Sequence, residues 1–200
     1  MPTTSQKIAF FDVDGTITTR DSFLDFIRFY RGKKAFYTGW LLLSPWLVLY
    51  KLKIIPNWKA KERVLTYFFG GELLEVFQQK GDAYALQRFP QIIKPSALQA
   101  MRQHLHDKTP VYCVSASAEN WLQAWCAQTG VGLVGTRLAV QNGRITGKIA
   151  GLNCYGPEKV TRIRAKIDVE AYDEVYVYGD SPGDKEMLAL AHHPHYRFFT

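Results

Sequence analysis

Two aspartates, two residues apart, close the first apolar run of the chain: Phe10-Phe11-Asp12-Val13-Asp14-Gly15-Thr16. At a strand end both carboxylates can open into one pocket, where their repulsion favours a nearby cation. One carboxylate can then attack phosphorus while the other handles the proton of the leaving group. A second acidic motif, Tyr178-Gly179-Asp180-Ser181-Pro182-Gly183-Asp184, places two acids one helical turn apart, where they could complete an oxygen-rich magnesium site. The same residues make a good helix start, with Ser181 as N-cap, Pro182 first in the helix and Asp184 in the first turn. The two uses are compatible, because a cap orients its loop. Ser115 follows Val111-Tyr112-Cys113-Val114 and precedes a helical pattern. Its hydroxyl and the backbone N–H groups there, including that of Ala116, could seat a phosphate; a lone serine at such a place is more often an ordinary cap. Lys159 falls in the first turn of the helix after Gly156-Pro157-Glu158, where the helix dipole does not favour it. A neighbouring anion would explain it, although a single lysine there is more often a solvated surface charge.

The elements that must position these residues follow from periodicity. Ile8–Phe11 reads as a buried strand. From Asp21 to about Phe89 the pattern is helical, with Phe23, Phe26, Ile27 and Tyr30 on one face. Further helices are expected over Lys34–Tyr50, Asn57–Phe69 and Glu72–Arg88, broken at Gly32, Pro56, Gly70-Gly71 and Pro90. After Pro95 strands and helices alternate: helix Ser96–His106, strand Val111–Val114, helix Ala118–Thr129, then a strand pair near Leu133–Val140 and Arg144–Ile149 around an Asn142-Gly143 turn. Helix Pro157–Ile167, strand Glu174–Tyr178, helix Pro182–Ala191 and strand Tyr196–Phe199 complete the chain. Alternation of this kind implies an α/β fold, a doubly wound parallel sheet of Rossmann-like form. Ligands of such sheets bind beyond the carboxyl ends of the strands, where Asp12, Ser115 and Asp180 would converge. The all-helical stretch is then an insert: residues 21–90 form a cap, and residues 1–20 with 91–200 form the core.

Asp-x-Asp-Gly-Thr, then Ser, then Lys, then Gly-Asp-x-x-x-Asp, each at its own junction from Ile8 to Leu190, resembles the haloacid dehalogenase-like superfamily. The helical insert resembles the cap of its phosphoserine phosphatase-like branch. The resemblance implies a magnesium-dependent phosphatase in which Asp12 becomes phosphorylated. Asp14 would protonate the leaving oxygen and then activate water. Ser115, Ala116 and Lys159 would hold phosphoryl oxygens. Mg²⁺ would take Asp12, the main-chain carbonyl of Asp14 and Asp180, with Asp184 binding directly or through water. Asp14 itself points to a phosphatase or phosphomutase, since ion-pumping ATPases carry threonine at that position. Phosphoserine phosphatases usually have asparagine where this chain has Gly183, which puts phosphoserine itself in doubt. Asp21 and Arg63 lie where substrate groups could be read, although a surface acid and a helix-face arginine are equally good accounts of them.

The net charge of +7 favours anionic partners. No zinc, helix-turn-helix or RNA-binding motif supports nucleic acid, which we exclude. Cys113, Cys126 and Cys154 are expected as reduced, buried thiols, and Met1–Lys7 has no apolar leader. The expected location is the cytoplasm, with the inner face of the membrane as a peripheral site. That alternative comes from Ala35–Tyr50, which holds no charge, contains Pro45, and is flanked by lysines and arginines and by Trp40, Trp46 and Trp58. We expect the segment to be buried cap core or a dimer contact, ahead of a helix in the membrane interface and of a true span. An interfacial cap would suit a phospholipid phosphatase similar to the phosphatidylglycerophosphatase C type. The substrate is therefore a small phosphorylated metabolite or a phospholipid head group. A non-catalytic binding protein on the same fold is the rival outside enzymes. His192, His193 and His195 are read as a polar loop before the last strand rather than as metal ligands.

Overall fold

A computed structural model describes residues 6–199; most of Met1–Lys7, the stretch read above for a leader, lies outside the described residues. Five parallel strands form the sheet: β1 (Lys7–Phe11), β2 (Val111–Ala118), β3 (Gly132–Thr136), β6 (Glu174–Gly179) and β7 (His193–Tyr196), in the order β3-β2-β1-β6-β7. The order reverses beside β1, so the crevice for a ligand opens past the ends of β1 and β6. Alternate residues of β1 serve two cores. Ala9 and Phe11 pack with Met101 and Trp125 from α4 (Pro95–His106) and α5 (Gln123–Thr129). Ile8 and Phe10 pack with Ile163 and Met187 from α6 (Pro157–Lys166) and α7 (Lys185–Leu188). Burial on both faces is why β1 reads as a continuous apolar run.

Between β1 and β2 the chain first runs through α1 (Ser22–Lys51), α2 (Asn57–Phe69) and α3 (Leu74–Ala83). The break at Gly32 is real: its φ of 80° and ψ of 165° interrupt α1. Pro45 breaks nothing. Its missing N–H would orphan the Leu41 carbonyl, and the Ser44 hydroxyl donates to that carbonyl at 2.7 Å. A hairpin of β4 (Leu138–Gln141) and β5 (Arg144–Ile149) grips the helices from the core side. Ile145 N–H donates to Glu72 O at 2.9 Å, Gly71 N–H to Ile145 O at 2.8 Å, and Ile149 N–H to the Glu62 carboxylate at 2.9 Å. Asn142 and Gly143 both have positive φ, as a tight Asn-Gly hairpin requires.

Several expectations need correction. The expected strand at Leu133–Val140 splits: β3 joins the main sheet, and β4 leaves it for the hairpin. β2 runs on to Ala118, so Ser115 lies within a strand and not at a helix start. Pairing of Ala118 with Thr136 overrides the helix preference of this small-residue run. The helix expected at Glu72–Arg88 starts at Leu74 and reaches Arg88, as α3 to Ala83 and then a wider π turn over Tyr84–Arg88; the one at Pro182–Ala191 contracts to a turn and α7. The last strand is His193–Tyr196 rather than Tyr196–Phe199. His193 and His195 stack on Tyr176 and Tyr178 of β6, with ring centroids 4.4 and 4.5 Å apart, so rings that look polar in sequence form sheet.

The Ala35–Tyr50 segment divides. Phe36 and Leu43 are buried, but Leu41 is 74% and Leu42 60% exposed, so much of it is not cap core. Among the described residues no helix is long and apolar enough to cross a membrane, which removes the spanning alternative.

The start and end of the helical stretch are clasped by a buried acid. Asp25, 3% exposed, accepts from Arg88 Nε and Nη2 at 3.0 and 3.1 Å and from the Tyr84 hydroxyl at 3.4 Å. Arg88→Met leaves this carboxylate without its main partner. A fully buried pair broken this way loses roughly 3–5 kcal/mol; because Arg88 is one-third exposed, about 2 kcal/mol is expected. Denaturant unfolding should show a lower midpoint at unchanged m-value.

Candidate active site

The peptide after β1 leaves the sheet at Asp12 and turns at once. Gly15 makes the turn, with φ of 90°, and a Cβ there would meet Asp180 Oδ2 at 2.4 Å. Only glycine lets the two acidic loops approach this closely. Thr16 ties them: its hydroxyl lies 3.1 Å from Asp12 Oδ2 and 2.9 Å from Asp180 Oδ1. Lys94 donates to Gly15 O at 2.8 Å and to Phe199 O at 3.0 Å, holding the turn from below.

Lys159 reaches the centre from α6. Its Nζ contacts Asp12 Oδ1 at 2.5 Å, Asp184 Oδ1 at 2.6 Å and the Val114 carbonyl at 3.1 Å, and only 2% of the residue is exposed. Burial works against the ammonium charge, but Asp12 and Asp184 outweigh it and hold Lys159 above the ordinary lysine range. Burial also pushes Asp12 up, to about 7, with Asp184 and Asp14 adding to the rise and Lys159 opposing it. Asp184 goes the other way: burial would raise it, but Lys159 and donors from Ser181 hold it below the usual carboxylate range. Its Oδ2 accepts from Asp180 N–H, Ser181 N–H and the Ser181 hydroxyl at 3.2, 3.0 and 2.8 Å. The expected N-cap at Ser181 is therefore present, as a reciprocal capping box with Asp184 that orients the acid.

Asp12, Asp180 and Asp184 each offer an oxygen within 4.8 Å of the others. Three carboxylates against one ammonium leave excess negative charge in a buried place. An all-oxygen set of this kind suits a hard divalent cation. Asp14 stands apart from the cluster. Its Oδ1 accepts from Ser22 N–H at 2.6 Å and its Oδ2 from the Ser117 hydroxyl at 2.6 Å.

Asp12 and Asp14, but not Asp180 or Asp184, border a cavity of ≈ 300 Å³ whose other walls include Phe23, Trp40, Leu47 and Val64. Asp12, Asp14, Asp21, Ala116 and Lys159 line it, whereas Ser115 does not. Ser115 is buried beneath, its hydroxyl accepting from Ser117 N–H at 2.9 Å. Asp21 is the N-cap of α1, accepting from Leu24 N–H at 2.9 Å, and sits on the cavity wall. Arg63 does not reach the cavity. It is exposed, with its guanidinium 4.9 Å from the Trp46 ring centroid.

The cation that α2 does send inward is Lys61, which donates to the Ala116 carbonyl at 2.6 Å. Burial lowers its proton affinity against the pull of Asp14 and Asp21. Two residues along a helix is a rotation of about 200°, so 61 and 63 face opposite ways. Lys61 flanks the buried stripe Ala60, Val64 and Phe68, a signal already present in the periodicity. Nothing local marks Ser22 and Ser117; Thr16 closes the Asp-x-Asp-Gly-Thr motif, but its tie to Asp180 spans 164 residues and needs the fold.

Cys113, Cys126 and Cys154 are free and buried, as expected. His192 accepts from Val175 N–H at 3.1 Å. Among the described residues no metal-holding cluster includes a histidine.

Gly183 has a physical partner. A Cβ there would meet the Tyr155 ring at 2.3 Å, so an aromatic wall stands where a side chain at 183 would project.

The family model of the haloacid dehalogenase-like hydrolases matches residues 9–189. Protein CicA of Caulobacter vibrioides is 32% identical over 191 residues, covering 94% of this chain and 85% of that protein. A Bordetella pertussis Tohama I protein of unknown function superposes with a TM-score of 0.76 at 21% identity, over 94% of this chain and 88% of that one. A phosphoserine phosphatase captured as an analogue of its phospho-aspartyl intermediate superposes with a TM-score of 0.64 at 14% identity, over 94% and 84%. At these identities the two structures speak to fold alone.

Gly183→Asn should destabilise the protein by about 1–3 kcal/mol through overpacking against Tyr155. Tyr155→Ala should relieve most of that loss in the double variant. A thermal-unfolding double-mutant cycle checks it, and additive effects would show that the two positions do not interact.

Proposed function

The chain belongs to the haloacid dehalogenase-like hydrolases, and from that premise we propose that it is a Mg²⁺-dependent phosphate monoester hydrolase working through an aspartyl-phosphate on Asp12. The observation that carries this is the Lys159 ammonium shared by Asp12 and Asp184, with Asp180 beside them, at the ends of β1 and β6. A divalent cation held by Asp12, the Asp14 main-chain carbonyl and Asp180, with Asp184 directly or through water, supplies charge neutralisation for phosphoryl oxygens. Asp12 attacks phosphorus as the bond to the leaving oxygen breaks. Asp14 gives that oxygen a proton. It then takes a proton from the water that attacks the phosphorylated Asp12, returning the carboxylate and releasing phosphate. Lys159 screens Asp12 and holds phosphoryl oxygens together with the Ser115–Ala116 segment. Helices over residues 21–90 act as the cap, and Lys61 brings a second cation to the substrate from that side.

Purified protein with Mg²⁺ should release phosphate from small phosphate esters. Asp12→Asn should abolish turnover with the fold intact, and chelation of Mg²⁺ should do the same. Asp14→Asn should still phosphorylate Asp12 but hydrolyse the intermediate slowly, roughly 10²- to 10⁴-fold below wild type. Substantial turnover in Asp12→Asn would remove the nucleophile assignment.

One observation favours a lipid phosphate over a soluble one. The exposed residues Leu41, Leu42, Val48, Leu52 and Ile54 lie in and just after the helix whose Trp40 and Leu47 wall the cavity. Between Asp25 and Glu62 the chain has eight lysines and arginines and no acid. Such a surface suits anionic lipid heads. Phosphatidylglycerol vesicles should float the wild type but not a Leu41→Asp/Leu42→Asp variant. Equal flotation of both, or none of either, would leave the soluble ester as substrate.

A further inference from the structure

Ser117 is buried, at 2% exposed, and its hydroxyl lies between two other polar groups. It donates to Asp14 Oδ2 at 2.6 Å, and Ser22 Oγ lies 3.0 Å away on its other side. An ionised carboxylate only accepts, and a serine has one proton to give. With Asp14 ionised, Ser117 gives its proton to Oδ2 and Ser22 donates to Ser117; an Asp14 that carries a proton on a second lone pair can still accept both bonds. Trp121 Nε1, which can only donate, reaches Ser22 Oγ at 3.4 Å. The donors thus run one way, from Trp121 to Ser22 to Ser117 to Asp14. Ser22 also gives its main-chain N–H to Asp14 Oδ1 at 2.6 Å.

Both oxygens of Asp14 are thus fixed, and each keeps a second lone pair for a transferred proton. Ser22 is the first residue of α1, and Trp121 stacks on Phe23 and Phe26 of that helix at centroid distances of 5.6 and 5.0 Å. We infer that Ser117 is a positioning residue for Asp14, and that the Ser22–Ser117 pair makes the aim of the proton donor depend on how the first turn of α1 sits against β2. The inference rests on the hydrolysis through Asp12 proposed above.

Removing the Ser117 hydroxyl leaves Asp12, Lys159 and the acidic cluster in place but frees one oxygen of Asp14. The resulting loss depends on the leaving group. Nitrophenolate departs as the P–O bond breaks without needing a proton, whereas unsubstituted phenol leaves readily only when Asp14 protonates its oxygen. Single-turnover release with enzyme in excess reads this first step alone. For Ser117→Ala, 4-nitrophenyl phosphate should release nitrophenolate at the wild-type rate. Phenyl phosphate should slow on the order of 10-fold or more, within the roughly 10²- to 10⁴-fold that a placed acid contributes. Ser22→Ala keeps its main-chain donor and should show the same selectivity with a smaller factor. It also carries the test should Ser117→Ala fail to fold. Equal slowing of both esters, or no slowing of either, overturns the positioning role. A wild type that releases neither phenol with Mg²⁺ overturns the hydrolysis on which the role depends.

Discussion

Three carboxylates meet in a place with little water, and the rest of the site is arranged around that cost. Asp12 and Asp184 are each within 2.6 Å of the Lys159 ammonium, and Asp180 stands beside them with its share of the charge uncompensated. Desolvating such a group is tolerable only when opposite charge and hydrogen bonds replace water. Each neighbouring element contributes to that replacement. β2 offers the Val114 carbonyl to the lysine, the capping box turns two N–H groups and a hydroxyl onto Asp184, and Thr16 bridges Asp12 to Asp180. The surplus negative charge is what a divalent cation would use.

A sheet built this way supplies charge but not selectivity. The cavity is closed on its other sides by the helices between β1 and β2, whose walls are aromatic and aliphatic apart from Lys61 and Asp21. Those helices are joined to the core at particular points. The hairpin grips the corner between α2 and α3, Arg88 and Asp25 clasp the two ends of the insert, and Lys61 holds the Ala116 carbonyl. Asp14 belongs to the same linkage, because Ser22 and Ser117 hold it from opposite sides of the joint. Asp12 sits at the end of the sheet, while Asp14 sits where the sheet meets the helices that follow β1.

Gly183 illustrates how a departure from a family pattern acquires a cause. In sequence it is a missing asparagine, and in space it is the room that the Tyr155 ring occupies. Tyr155 lines the cavity together with Trp40 and Leu47, so aromatic and aliphatic side chains stand beside its acids.

Much of this was legible in the residues themselves. A short apolar run ending in Asp-x-Asp, a second ending in Gly-Asp, and the alternation after Pro95 determined the parallel sheet and placed Asp12, Asp180, Asp184 and Lys159 near one another. The backbone menu is small, and strand ends converge by topology. Local backbone demands were equally plain, as at Gly32 and Asn142-Gly143. What local pattern could not determine was which side chains meet across long sequence separations. Ser117 and Asp14 are 103 residues apart and Ser22 and Ser117 are 95 apart, and no periodicity links them. The extended run Ser115–Ala118 was decided by pairing with β3, against its own propensity. The inward turn of Lys61 rather than Arg63 followed from which face of α2 met the core. The exposure of Leu41 and Leu42 followed from α1 having too few neighbours to bury both its sides. Each of these outcomes depends on packing between elements, which composition and spacing along one element do not contain.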